Sequence, residues 1–280
     1  MKICVLNLSG NVGKSTVAVH LLAAFTPGAR IVSVESINAS AAHEVEGLDV
    51  EELSASRFKE IFREIMLGED VIVDVGASNV AAFMSEMRRF KSAVGEFDLV
   101  LVPAVPADKQ QRDTIATIDW LHDLGIDHGK VRVIFNQYAS DALDPLPVVF
   151  AQVFGYAASD GRGKAVFEPH AVIDRNEAYE LAKEAGRTVR ELAEGRADWK
   201  AARLQAKQAG DMEALERAMA GQMTHDLAVT AQQNLAHVHA MLFPSGTASM
   251  GVNELAREGT REAVCEDVRP SETPTARKRA

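Results

Sequence analysis

The sequence has 280 residues, 47% hydrophobic and 25% charged, which suits one large globular domain, alone or with an appendage, and excludes wholesale disorder. Its 40 acidic against 30 basic residues give a formal charge of −10, so a dominantly cationic nucleic-acid coat is excluded and any DNA contact needs a local basic patch. Two cysteines, Cys4 and Cys265, are too few for a disulfide framework or a thiolate cage, and they fit a reducing cytoplasm.

The chain opens on an apolar run over 2–8 that is too short for a signal-peptide core and is interrupted at Ser9, so it reads as a buried strand. No later apolar stretch approaches the roughly 20 residues that cross a bilayer, and membrane insertion is not expected. Strands are predicted over 2–8, 30–35, 70–75, 99–103, 131–136 and 165–168, mostly as continuous apolar runs that would be buried on both faces. Helices are predicted between them over 14–25, 56–67, 80–94, 112–124 and 176–192. In the first, Val17, Leu21 and Leu22 share a face; in the second, Phe58, Ile61, Phe62 and Ile65 do. This alternation predicts an α/β fold with a doubly wound, mostly parallel sheet, occupying 1–192. From about Glu194 the β-branched runs stop and Ala, Gln, Glu, Lys and Leu dominate, which predicts a helical appendage over 193–243 with a break at Gly210-Asp211. Residues 244–280 turn to Ser, Gly, Thr, Pro and scattered charge, a composition expected to remain disordered.

The most informative segment is Asn7-Leu8-Ser9-Gly10-Asn11-Val12-Gly13-Lys14-Ser15-Thr16, between the first strand and the first helix. A phosphate-binding loop needs small residues whose N–H groups wrap the anion, a helix N-terminus, a lysine for the outer phosphates and a hydroxyl for magnesium. All four are present, although Leu8 stands where the general pattern has its first glycine. At the end of the third predicted strand, Asp74 is placed to hold magnesium through water, or is an ordinary strand-end acid.

The loop resembles that of the ParA/MinD group of deviant P-loop ATPases, with Gly10, Val12, Gly13, Lys14, Ser15 and Thr16 matching. Ser9 replaces the group's signature lysine and Asn11 its second glycine. The resemblance runs over about 1–192 and implies ATP and Mg2+ as ligands. It makes Lys14, Glu35 and Asp74 the catalytic candidates and Ser15, Asp74 and Glu35 the metal candidates. The nucleotide would be held by Ser9 to Thr16, by Asn136 at the adenine and by the backbone at Pro169. Ile37 falls where the group has its water-activating aspartate, with Asn38 a weak substitute, so hydrolysis is expected to be slow. The loop together with Val34-Glu35-Ser36-Ile37-Asn38 looks most like the StbB branch, which implies plasmid stability, partition and conjugative transfer, a homodimer, and stability or transfer proteins as partners in the cytoplasm. The alternative is a non-hydrolysing adaptor that holds partners through its appendage.

His225, His237 and His239 lie on a predicted helix, where the i, i+2 pair points to different faces and is unsuited to a metal. Lys183, Arg187, Arg190, Arg196, Lys200, Arg203 and Lys207 form a candidate DNA patch, but interleaved Glu184, Glu191, Glu194 and Asp198 favour an ion-paired, solvated helix. Leu204, Met212, Leu215, Met219, Met223 and Leu227 make an apolar stripe, read first as packing on the ATPase domain and second as a partner-docking face.

Overall fold

A computed structural model describes residues 1–35, 45, 48–141, 143–195 and 197–243. Ile37, Asn38, Arg196, Cys265 and the expected tail lie outside these residues. The first half contains β1 (Lys2–Val5), α1 (Lys14–Thr16), β2 (Arg30–Val34), β3 (Val50–Leu53), α2 (Phe58–Leu67), β4 (Val71–Val75), α3 (Val80–Arg89) and α4 (Lys91–Glu96). It is followed by β5 (Leu99–Ala104), α5 (Asp108–Asp123), β6 (Val131–Tyr138), α6 (Leu146–Val149), α7 (Ala151–Ala158), β7 (Val166–Asp174), α8 (Ala178–Glu184), α9 (Val189–Glu194), α10 (Trp199–Ala209) and α11 (Met212–Leu242).

The strands form one parallel sheet in the order β3-β2-β4-β1-β5-β6-β7. From β1 the chain steps through β2 to the edge at β3, then reverses and runs back through β4 to β5, β6 and β7, which leaves β1 in the middle of the sheet, where ligands of such folds bind at the carboxyl ends of the strands. Alternate residues feed two cores. Cys4, Val32, Val73 and Val100 face α2 to α5 and α7; Ile3, Val5, Ile31, Ile72 and Leu101 face the helical turns at 17–22 that continue α1, and α8, α9 and α11. Each fully buried Phe, Leu or Ile in these cores contributes about 1.5–3 kcal/mol relative to exposure.

The predicted alternation is reproduced, with local differences that have physical causes. β3 carries Glu51 and Glu52 at the sheet edge and lacks the apolar run of a central strand, so its sequence did not advertise it. The helix expected over 80–94 divides at Phe90, whose ring packs against Phe58 and Phe62 at centroid distances of 5.6 and 6.5 Å. The helix expected over 176–192 divides before Thr188, which starts α9 with a reciprocal capping box to Glu191. α1 continues without a gap into a π-helix, Val17–Leu22, and a 3-10 turn, Ala23–Phe25. The last strand, predicted over 165–168, runs instead to Asp174 through an irregularity in its pairing with β6.

The segment expected as an appendage is joined to the sheet's own core. Ala228, Ala231, Leu235, Val238 and Leu242 recur on one face of α11 and are buried with Val17, Leu21 and Ile173. Arg132 on β6 fastens the end of this helix: its guanidinium donates to the Leu242 carbonyl at 3.0 Å and pairs with Glu168 on β7 at 3.2 Å. The apolar stripe packs only in part: Leu227 lies against the sheet's core and Leu215 is half-buried, while Leu204, Met212, Met219 and Met223 are between 48% and 64% exposed. Close approach of α10 and α11 uses small residues instead: Trp199 lies over Gly221, where a Cβ would come within 2.5 Å of the indole.

Candidate functional site

The loop between β1 and α1 is shaped by backbone that few residues adopt. Gly13 has φ +80°, and a Cβ there would lie 2.1 Å from Asn136 Nδ2, so both conformation and space demand glycine. Asn11 has φ +57°, in the left-handed region that asparagine tolerates better than most side chains, which explains how it stands in for a glycine. The Gly13 carbonyl accepts the Val17 N–H at 2.9 Å as the helix begins. Val12 is fully buried beneath the loop, Gly10 lies on its exposed rim, and Thr16 is half-buried in α1.

Lys14, Glu35 and Asp74 converge at the carboxyl ends of β1, β2 and β4. Lys14 is buried and its Nζ donates to the Ser9 carbonyl at 2.8 Å. Burial lowers the Lys14 pKa, opposed by the charges of Asp74 and Glu35. Burial raises the Asp74 carboxyl, opposed by a hydrogen bond from Ser15 and by Lys14. Glu35 is also raised, by burial first and then by Asp74, with Lys14 acting the other way. Gly76 makes room for that side chain, since a Cβ would meet Glu35 Oε1 at 2.6 Å.

This donor set suits a hydrated magnesium ion. Asp74 Oδ1 is buried with no hydrogen-bond partner, on a carboxylate whose raised pKa the nearby Ser15 and Lys14 oppose. Such an oxygen is costly unless a cation or ordered water meets it. Magnesium keeps several waters and takes one or two protein oxygens beside substrate phosphates, so Ser15 and Asp74 with Glu35 nearby are sufficient. No cluster of three or more His, Cys, Asp or Glu able to cage a metal occurs among the described residues.

Two residues expected at the nucleotide's base make contacts within the fold. Asn136 lies at the loop, but its amide nitrogen donates to the Val12 carbonyl at 2.9 Å and its Oδ1 accepts from Gln137 N–H at 2.8 Å. It braces the loop with one of its two amide hydrogens. Gln137, itself at φ +57°, adds a bond from Nε2 to the Asn11 carbonyl at 3.1 Å. Pro169 is buried within β7, among the residues between its pairings with Val133 and Phe135, because the strand continues five residues further. A proline without an N–H is tolerated there because β7 is an edge strand with a pairing irregularity. The backbone that reaches the loop's side of the sheet is Asp174 and Arg175, whose N–H donates to the Tyr138 carbonyl at 2.8 Å.

The sequence reading missed the helix that splints the loop. Asn7 Nδ2 donates to Thr114 Oγ1 at 2.8 Å and to the Pro103 carbonyl at 3.0 Å, and Leu8 N–H donates to Thr117 Oγ1 at 3.1 Å. Ser9 Oγ donates to Asp113 Oδ2 at 2.7 Å. Three successive loop residues are thus bonded to one face of α5. Thr114 and Thr117 spend their own hydroxyl hydrogens on the carbonyls of Gln110 and Asp113, leaving their lone pairs for the loop. The available signal was two threonines three residues apart on an otherwise amphipathic helix, and an asparagine ending an apolar strand.

Of the candidate DNA-binding residues, Arg190 pairs with Glu194 at 2.7 Å and donates to the Ala24 carbonyl, while Arg187 donates to the Glu191 carbonyl. Only the first is an ion pair of the kind expected of a solvated helix; the other two engage backbone carbonyls. A cavity of about 690 Å³ lined by Ala193, Glu194, Gly195, Ala197 and His225 lies at the α9–α11 junction, away from the loop. His225 Nδ1 is 3.1 Å from the Leu192 carbonyl.

No protein-family model matches the sequence, and no curated protein matches it. Solved structures do match. The MinC:MinD cell division protein complex of Aquifex aeolicus aligns over 89% of this chain and 98% of that one, at 13% identity and a TM-score of 0.53. MinD of Aquifex aeolicus alone aligns over 89% and 99%, at 13% identity and 0.49. A plasmid partition protein of Borrelia burgdorferi bound to AMPPNP aligns over 66% and 89%, at 11% identity and 0.40. At these identities the likeness is one of fold alone: the chain's seven-stranded parallel sheet with flanking helices is similar in architecture to the MinD of that complex.

Proposed function

We propose that this chain is an ATP-binding, slowly hydrolysing switch protein related to ParA and MinD, acting in plasmid stability or partition and in conjugative transfer as its resemblance to the StbB branch implies. The observation that carries the reading is the buried, unpartnered Asp74 Oδ1 beside Ser15, at the mouth of a loop whose lysine is held by its own backbone. Lys14 would leave the Ser9 carbonyl for the outer phosphates, and Gly10 to Gly13 would offer N–H groups to them. Ser15 and Asp74 would hold magnesium, with Glu35 orienting water. Magnesium supplies the charge neutralisation that two carboxylates around one lysine do not. Slow turnover follows from Ser9, which brings a hydroxyl where a loop lysine would bring a cation. The nucleotide then acts by favouring one conformation or dimer over another.

The test is magnesium-ATP binding and phosphate release by the purified chain beside Lys14→Ala, with mass followed by light scattering. Binding that Lys14→Ala weakens at least about tenfold supports the reading; a wild-type chain that binds neither ATP nor ADP refutes it. The exposure of Leu204, Met212, Met219 and Met223 favours a second reading, an adaptor that engages a partner through α10 and α11. Plasmid retention that survives Lys14→Ala but fails on replacing the three methionines with serine would select the adaptor.

A further inference from the structure

The contacts that splint the loop include one charged group, Asp113, which also holds a cation. Asp113 Oδ2 accepts from Ser9 Oγ at 2.7 Å and from Lys109 Nζ at 2.8 Å, so a single carboxylate oxygen joins the loop's leading limb to a cation one helical turn away. Hydrogen bonds from Lys109 and then Ser9 hold the Asp113 carboxyl below its usual range. The Lys109 side chain is 72% exposed, fastened at its tip on one side and open to solvent on the other. Inside the cleft, Lys14 faces both Glu35 and Asp74, so the cleft's own charge does not match a polyphosphate.

We propose that Lys109 is a second phosphate-contacting cation of this site, parked on Asp113 and transferred to the terminal phosphate when a nucleoside triphosphate occupies the loop. The inference rests on the nucleotide reading above and assigns the triphosphate preference of that site to a residue outside the loop. Ser9 is integral to the arrangement. Its hydroxyl uses Asp113 as an acceptor without neutralising it, which leaves the carboxylate able to hold the ammonium close to the loop. A terminal phosphate carries more charge than a half-buried carboxylate shared with a serine, and so competes for the lysine.

If Lys109 only neutralises Asp113, the pair is an ordinary i, i+4 surface contact and either partner can be lost with the same small effect. The two accounts differ in sign. Calorimetric titration of magnesium-ATP and magnesium-ADP into the full chain is compared for wild type, Lys109→Ala, Lys109→Arg and Asp113→Asn. Lys109→Ala is expected to weaken ATP about tenfold while leaving ADP unchanged, and Lys109→Arg is expected to retain the preference. Asp113→Asn, which frees the ammonium, is expected to bind ATP at least as tightly as wild type. An ATP-to-ADP ratio unchanged by Lys109→Ala overturns the proposal while the nucleotide reading stands, as does Asp113→Asn weakening ATP as Lys109→Ala does. A wild type that binds neither nucleotide overturns both. Should Asp113→Asn melt early, the exposed Lys109 variants decide alone.

Discussion

Gly13→Ala isolates what the loop's backbone costs to hold. Gly28 is a matched control, since it has φ +87° in the turn before β2 and nothing within 4 Å of a built Cβ, whereas a Cβ at Gly13 meets Asn136 Nδ2 at 2.1 Å. Alanine at Gly28 therefore bears only the left-handed penalty, about 1–2 kcal/mol. At Gly13 the same penalty applies, and Asn136 must also swing away from the Val12 carbonyl, leaving a buried carbonyl and a buried amide without their bond. That adds about 1–3 kcal/mol, for a total near 2–5 kcal/mol. Urea unfolding followed by circular dichroism gives the difference from the shift in midpoint at constant slope. In an Asn136→Ala background the obstructing amide is gone, and Gly13→Ala should then cost no more than Gly28→Ala. Equal costs at the two glycines in the native background, or a Gly13 cost unchanged by removing Asn136, would show that the loop is not braced from β6 and refute this account.

His20, on the π-helix that follows α1, is buried, and its Nδ1 accepts the Val189 N–H of α9 at 3.3 Å; burial pushes its pKa down to about 4, with Glu191 acting weakly in the other direction. Because the folded value lies below the unfolded value of about 6.5, its contribution is fully present above pH 6.5 and is lost as pH falls toward 4, by about 3 kcal/mol in all. Asp74 and Glu35, both raised, act in the opposite direction as they protonate, so the His20 share is read as the difference between wild type and His20→Gln in urea midpoints from pH 7.5 to 4.5. A parallel pair of curves would remove His20 as the source of the acid loss. Arg132→Ala should cost about 2 kcal/mol, given its partial exposure, and speed hydrogen exchange over the last turns of α11; unchanged exchange there would mean that the clamp on Leu242 does not hold the helix.

The central strands and the loop could be read from the sequence because their signals are local. Apolar runs buried on both faces, and small residues followed by Lys14 and Ser15 at a strand-to-helix junction, carry their own meaning. What the sequence hid depends on partners distant in the chain. Pro169 looked like the end of a strand because a proline and the polar His170 interrupt the run, yet an edge strand with an irregularity passes through both. Asn136 was found at the right strand end, but the atoms it engages belong to Val12, 124 positions away. The long helix was legible as a helix, while which face it buries was not. Its methionines drew attention as an apolar stripe, but alanines at 228 and 231 admit the close approach that Leu235, Val238 and Leu242 extend.

The same dependence explains how a loop that departs from the general pattern at Leu8, and from the resembled group's loop at Ser9 and Asn11, keeps its shape. In a loop supported by its own glycines, shape is a local property. Here Asn7, Leu8 and Ser9 are each bonded to α5, Val12 and Asn11 are bonded through their carbonyls to β6 and the residue pair at its end, and Lys14 bonds back to Ser9. The loop is held between two elements instead of by glycine alone. If the loop binds a nucleotide as proposed, these bonds are the contacts through which its occupancy would bias α5 and β6. Since α5 carries Lys109 and the π-helix beyond α1 carries the His20 contact to α9, occupancy of the loop has a bonded route to the sheet's α5 face on one side and toward the α9–α11 layer on the other. That is the arrangement a nucleotide switch needs, because an effect on a distant surface requires differential contacts in two states and not turnover alone.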